Sequence, residues 1–229
     1  MHQMNRASGS SSIHWQKNGC YFGRSLIRCA ELTTAIGRLS LLSVHDALIL
    51  FKTSFSAPKM MHTIRRCSPC TNHPSLEAYD ILLRKGISVI ANLDLSDVQW
   101  LQASLPVKEG GLGVRRVTSL APSAFLASAA GTAALQQQLL LRSPAFATAD
   151  ASVSLVSNVW SSAHNSPCPT GLAAYRQAAW DRPVISTERQ ELMKSKQRRR
   201  SSTTAGGDIS SQQRLATRSA AIRMWITTR

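Results

Sequence analysis

Cys67 and Cys70 stand at Cys-x-x-Cys spacing, and His73 follows three residues later. Thiolates at that spacing can share one zinc ion, with an imidazole as a further ligand. A tetrahedral site needs a fourth donor, and the nearest are His62 and Cys29. No second cysteine pair stands at finger spacing, and no histidine follows Cys70 directly, as haem attachment would require. A redox dithiol would open a helix after a strand, which this polar segment does not resemble. A turn that carries two thiols is the simpler reading. Cys67, Cys70 and His73 are the candidate ligands of the zinc-bound alternative.

Other chemistries need residues that the chain does not gather. GGLGVRR at 110–116 has glycines fit for a phosphate loop, but lacks the Gly-Lys-Ser/Thr ending and the GxGxxG frame. It reads as a tight turn, from which Arg115 and Arg116 can reach a nucleic-acid backbone. His2, His14, His45, His62, His73 and His164 are scattered, and no Gly-x-Ser-x-Gly elbow accompanies them. His45 and Asp46 are neighbours in a helical pattern and so point in different directions, which favours capping or packing over a dyad. Metal-dependent nucleotidyl transfer needs clustered carboxylates. The chain has only 12 acids and no Asp-Asp pair. Asp94 and Asp97 lie at a helix start, where an anion opposes the dipole. No catalytic residue and no cofactor are assigned, and the chain reads as no enzyme by itself.

The charge points elsewhere. Against those 12 acids stand 27 Lys and Arg, a net charge of +15. Such an excess repels itself and favours a polyanion. From Arg182 onward there are 11 basic and 3 acidic residues, so the last fifth of the chain holds about half of the surplus. Arg198, Arg199 and Arg200 form its densest run, suited to phosphate contact or nuclear import.

The elements that must position these groups are helical. Residues 1–22 are rich in Ser, Asn and Gly and read as a disordered terminus. Leu26, Ile27, Leu32, Ile36, Leu39 and Leu42, then Val44, Ala47, Leu48 and Phe51, recur at helical spacing, with Gly37 as a divider. Ala57-Pro58 forces a break, and 63–73 reads as a polar turn. A helix is expected from Pro74 to about Ala91, another over Ser96–Ser104 capped by Ser96. LPVKEGGLG at 105–113 is a loop. Helix returns over about Thr118–Arg142, where Pro122 is tolerable only in the first turn. Ser152–Ser161 and Thr170–Trp180 are weaker helices. Residues 191–229 read as a basic, disordered tail with a linker after Arg200 and a short helix near Gln212–Trp225. Five cysteines, an odd number, and the lack of an apolar leader favour reduced thiols in the cytosol or nucleus. No apolar run is long enough to span a membrane.

Three blocks are familiar as an ordered set: HDALILFKTSFSAPKMMHTIRRCSPC (45–70), LEAYDILLRKGISVIANLDLSDVQWLQASLPVKEGGLGVRR (76–116) and SLAPSAFLASAAGT (119–132). Together they resemble the region just after the catalytic domain of non-LTR retrotransposon reverse transcriptases. The resemblance covers about 25–190 and implies a mainly α, irregular thumb-like or connecting domain over 23–190, flanked by disordered ends. In that family the upstream palm carries a Tyr/Phe-x-Asp-Asp metal site, which this chain lacks. The implied partners are RNA or DNA and a palm domain supplied elsewhere. The residues expected to touch nucleic acid are Lys52, Lys59, Arg65, Arg66, Arg115 and Arg116 within the matching blocks, with Arg198, Arg199 and Arg200 beyond them. The ends depart from the family pattern, and 191–229 has the Arg-Ser-Thr bias of a frameshifted reading frame. The alternatives are a pseudogene-like product that does not fold alone and the zinc-bound interaction module.

Overall fold

The computed structural model describes residues 26–67, 74–140 and 144–205. The protein is mainly α, and the described residues form no strand. In chain order the helices are α1 (26–39), α2 (Val44–Leu50), α3 (Ala57–Arg66), α4 (Pro74–Ala91), α5 (Asp97–Ser104), α6 (Val117–Leu140), α7 (Pro144–His164) and α8 (Gln177–Ala205). A π-helical turn, Phe51–Phe55, joins α2 to α3, and 3-10 turns occupy Val107–Glu109 and Gly171–Ala173.

The main core gathers α1 to α5 around the first half of α6. Leu32, Phe51, Met60, Ile64, Tyr79, Leu83, Ile87 and Val117 are buried in it. The α1–α2 break falls after α1, not at Gly37, because Ser43 supplies the cap: its Oγ accepts from the Asp46 amide at 3.3 Å. Asp46 therefore belongs to a helix start, as its position beside His45 suggested. Pro58 brings no N–H to the second position of α3, so the chain cannot run on as one α-helix from α2. The π turn absorbs the break. The Lys59 amide bonds to the Ser56 carbonyl, which leaves the Phe55 carbonyl without a helical donor. Tyr79 on α4 fills that gap, its hydroxyl donating to Phe55 O at 2.7 Å. Burial pushes the Tyr79 phenol well above its ordinary range, so it stays a donor.

Gly86 shows why a poor helix former sits inside α4. A Cβ there would lie 2.6 Å from Cζ of the buried Phe51 ring and 3.1 Å from Ile36 Cδ1. The absent side chain is what lets Phe51 reach the α4 backbone.

The middle of α6, directly after the stretch in the main core, meets α7 and α8 in a separate cluster of Phe125, Leu126, Val156, Trp160, Trp180 and Val184. Trp160 and Trp180 pack edge to face, with centroids 5.0 Å apart. That geometry adds about 1 kcal/mol beyond simple burial. A third cluster joins Leu101 and Leu105 to Leu192, so α8 also covers the end of α5.

Several sequence expectations are corrected here. The polar segment expected to be a turn from residue 63 begins as the last turn of α3, which runs to Arg66. Pro122 sits in the second turn of α6, not the first, because that helix starts at Val117 under an outside cap described below. α7 extends beyond Ser152–Ser161 at both ends. The helix expected over Thr170–Trp180 starts only at Gln177 and then continues to Ala205. Residues 191–205 are thus the continuation of α8 and not a tail, anchored by the buried Leu192. Pro183 is accommodated inside this helix. The calls on residues 1–22, 68–73 and 206–229, including the short helix near Gln212–Trp225, lie outside the described residues.

Helix propensity alone says that Gly86→Ala should stabilise α4 by about 1 kcal/mol. The Phe51 contact predicts the opposite, because overpacking a filled core costs about 1–3 kcal/mol. Urea unfolding should show a lower midpoint for the variant; a higher one would mean that Phe51 has room to move.

Candidate nucleic-acid interface

The site is built on the loop that leaves α5. Leu105 is fully buried and anchors it. Pro106 leads into the 3-10 turn, which Gly110 closes with φ +80° and an amide bond to Val107 O at 3.0 Å. The chain then doubles back on α5. The amides of Gly111, Leu112 and Gly113 donate to the carbonyls of Pro106, Ala103 and Leu105 at 3.2, 3.0 and 2.9 Å. At Gly111 a Cβ would lie 2.1 Å from the Leu105 carbonyl oxygen, so no side chain fits. Gly113 has φ +78°, and the Lys52 side chain lies over it: a Cβ would meet Lys52 Cε at 2.9 Å. The glycines serve close backbone packing and leave no phosphate cradle of the Walker kind.

Arg115 and Arg116 come next, and both turn to α8. Arg115 makes a two-point pair with Asp181, at 2.7 and 2.9 Å, with both side chains nearly buried. Arg116 makes one contact of 2.6 Å to Glu188, which is buried. The Nε atoms of both arginines and Oε2 of Glu188 are buried without a partner. The Glu188 carboxylate also opposes the effect of burial on His164, whose pKa burial lowers. These two arginines, expected to face nucleic acid, are held inside the fold as staples to α8.

The α6 start that follows them is capped from α4. Both carboxylate oxygens of Asp80 are used: the Val117 amide donates at 2.6 Å, the Thr118 amide at 3.1 Å and the Thr118 hydroxyl at 2.6 Å. This supplies the acceptor that a helix N-terminus lacks, from a residue 37 positions away. Burial pushes the Asp80 carboxyl up. The Thr118 hydroxyl, the two amides and Arg116 pull it back only in part.

Between the loop and α8 lies a cleft of about 350 Å³, lined by Pro106, Lys108, Glu109, Arg115, Asp181, Arg182, Ile185 and Arg189 among others. Arg189 pairs with Glu109 across it at 3.0 Å. Lys108 and Arg182 are exposed and make no ion pair among the described residues. Neither was singled out from the sequence. Lys108 sits within the loop block, but nothing in its neighbours indicates that it lines a cleft together with Arg182, 74 residues on.

The other expected contacts are dispersed. Lys52 lies against the glycine loop, and Lys59 pairs with Glu31 at 3.3 Å. Arg65 donates to Gln177 at 3.1 Å, and Arg66 is exposed beside it, which puts both near the start of α8. Arg198 and Arg199 are exposed on the far part of α8, and Arg200 continues that helix. At 1.5 Å per residue they stand roughly 24 Å along the axis from Arg182, so the cleft and the arginine run are separate features. Of the zinc candidates, Cys67 ends α3, while Cys70 and His73 lie outside the described residues. Among the described residues no three of His, Cys, Asp and Glu converge as metal ligands, and no helix is long and apolar enough to cross a membrane. Comparison with family models, curated proteins and solved structures finds no match to the chain.

Removing Arg116 would leave the Glu188 charge buried and alone. Arg116→Ala should therefore cost about 3 kcal/mol of stability in urea unfolding, whereas Arg65→Ala, on the surface, should change it by less than about 0.5 kcal/mol. Equal effects would refute the staple assignment. Asp80 gives a pH signature. Its raised folded pKa means that the folded state binds this proton more tightly than the unfolded chain does. Its stability contribution is then full below about pH 4 and is lost as pH rises through the raised folded value. Wild type should gain on Asp80→Asn as the pH is lowered through that window, and a constant difference between them would count against the assignment.

Proposed function

We propose that the chain is a non-catalytic helical piece of a reverse-transcriptase-like polymerase, and that its residual activity is sequence-independent binding of single-stranded RNA or DNA. The three ordered sequence blocks support the parentage. In the family they resemble, this region lies beside the palm and would help to grip the template or the new strand.

The observation that carries the binding reading is how the charges divide. Glu31, Asp80, Asp97, Glu109, Asp181 and Glu188 are occupied by internal partners. Among the described residues, Arg66, Lys108, Arg176 and Arg182 stand exposed without an ion pair. Glu31, Asp97, Glu109, Asp181 and Glu188 are each matched by a cation, while Glu77, Asp94 and Glu191 are exposed without one. Cations outnumber acids, and the surplus left at the surface draws a polyanion. Contact with bases is not needed for this, so little sequence preference is expected.

A specific observation also favours a second reading, an orphaned fragment. Leu26, Ile27, Leu41, Leu42 and Val44 are all exposed on α1 and at the α1–α2 turn, with Leu41 at 84 %. Leu26 and Ile27 open α1, and Leu41, Leu42 and Val44 follow its end, so both ends of α1 expose apolar groups that suit a covering partner; in the resembled family a palm domain would supply it.

Fluorescence anisotropy with a labelled single-stranded RNA tests the first reading. Each phosphate neutralised lowers log affinity by about 0.7 per tenfold rise in salt. Binding should weaken about tenfold or more between roughly 50 and 200 mM salt, and an absence of binding at the lower salt would defeat it. Thermal melting followed by circular dichroism separates the second. A cooperative transition marks a chain that folds alone, and a gradual one marks the orphan.

A further inference from the structure

We propose that the cleft between the glycine loop and α8 seats a phosphate group of the polynucleotide backbone. The inference rests on the nucleic-acid reading above and adds a place to it. Four cations line the cleft: Lys108 from the loop, Arg115 below it, and Arg182 and Arg189 from α8. Two carboxylates line it as well, and both are taken: Asp181 by Arg115 and Glu109 by Arg189. The lining therefore carries a net charge of +2, and the two cations left over, Lys108 and Arg182, come from different elements, the loop and α8. A phosphate diester between them would meet one ammonium and one guanidinium. Such charge-assisted bonds are about twice as strong as neutral ones.

The walls are held in place before any ligand arrives. The loop side is fixed by the backbone bonds of Gly111, Leu112 and Gly113 to the end of α5. The helix side is fixed by the two-point Arg115–Asp181 pair and by the buried Leu192. Asp181, Arg182, Ile185 and Arg189 recur at helical spacing, so one face of α8 lines the cleft. Ile185 gives that face an apolar floor, against which a sugar can rest. A cleft of this volume lies at the small end of the ligand-site range, which suits one nucleotide unit and not a duplex.

The test uses the full chain with Lys108 and Arg182 both changed to Gln, compared with Arg38→Gln plus Lys85→Gln. Both pairs remove two exposed charges. Anisotropy with a labelled single-stranded RNA should show a loss of about tenfold or more for the cleft pair, with a salt slope shallower by about 0.7, and less than about a threefold change for the control pair. Equal losses would overturn the cleft while leaving the nucleic-acid reading intact, since binding would then follow net charge alone. If wild type binds no RNA, that reading fails, and a titration with inorganic pyrophosphate decides the cleft separately. Amide shifts confined to 108–116 and 181–189 would keep it as a seat for free phosphate. No shifts there would overturn it.

Discussion

Two arginines that are neighbours in sequence, Arg115 and Arg116, bond to two carboxylates seven residues apart on one helix, Asp181 and Glu188. Seven residues are two turns, about 10 Å along the axis. Two long side chains leaving one short stretch of extended chain can span that interval, which fixes α8 in both position and register. The rest of the arrangement follows. α8 held there covers Leu101 and Leu105 with Leu192 and brings Trp180 against Trp160. It also faces the glycine loop across the cleft. The same stretch leads directly into α6, whose first amides are taken by Asp80. One segment of chain thereby couples both apolar clusters. Its weak point is Glu188, whose second oxygen is buried without a partner. That makes the Arg116 pair costly to form and more costly to break.

Much of the helical framework was legible because apolar spacing and capping residues act locally. The α4 pattern and the Ser96 cap appear as read, and Gln99 adds a return bond to the Ser96 amide that the sequence reading did not name. The misses have one cause. Where a distant residue decides, the local signal misleads. Pro122 reads as a first-turn residue until Asp80, far along the chain, is seen to cap α6 one turn earlier than the proline suggests. The basic run after Arg189 reads as a solvated tail, because one buried leucine, Leu192, among Lys, Arg and Ser is too thin a stripe to register as an apolar face. Cys67 could be placed at a helix end from sequence only by knowing that α3 persists past the proline break.

The candidate site was less legible than the fold, for an electrostatic reason. An arginine that contacts a phosphate and one that pairs with a buried carboxylate look identical in sequence. Arg115 and Arg116 differ from Arg66 only in having acids waiting 66 and 72 residues away. Counting charge points to a class of partner but says nothing of which cations the fold has already paired, as it pairs Arg115 and Arg116. The correction runs both ways. Arginines in the most conspicuous motif are paired with carboxylates of α8, while Lys108 and Arg182, in unremarked positions, line the cleft without an ion pair among the described residues.

This division also bears on whether the surface charge is a by-product of composition. Here Asp181 and Glu109 are neutralised within the same cleft whose other cations remain unpaired. That pairing removes the groups which would repel an anion. It also holds Arg115 and Arg189 in place, so less side-chain entropy remains to be lost when a ligand binds. The exposed apolar residues of α1 and the following turn lie on elements that contribute nothing to the cleft lining. On the proposed reading, the exposed apolar residues would meet a polymerase body and the cationic cleft a polyanion, each from different elements. The pairs that shape the cleft, Arg115–Asp181 and Arg189–Glu109, are internal to the chain, so the cleft does not depend on the partner which that reading assigns to the apolar residues.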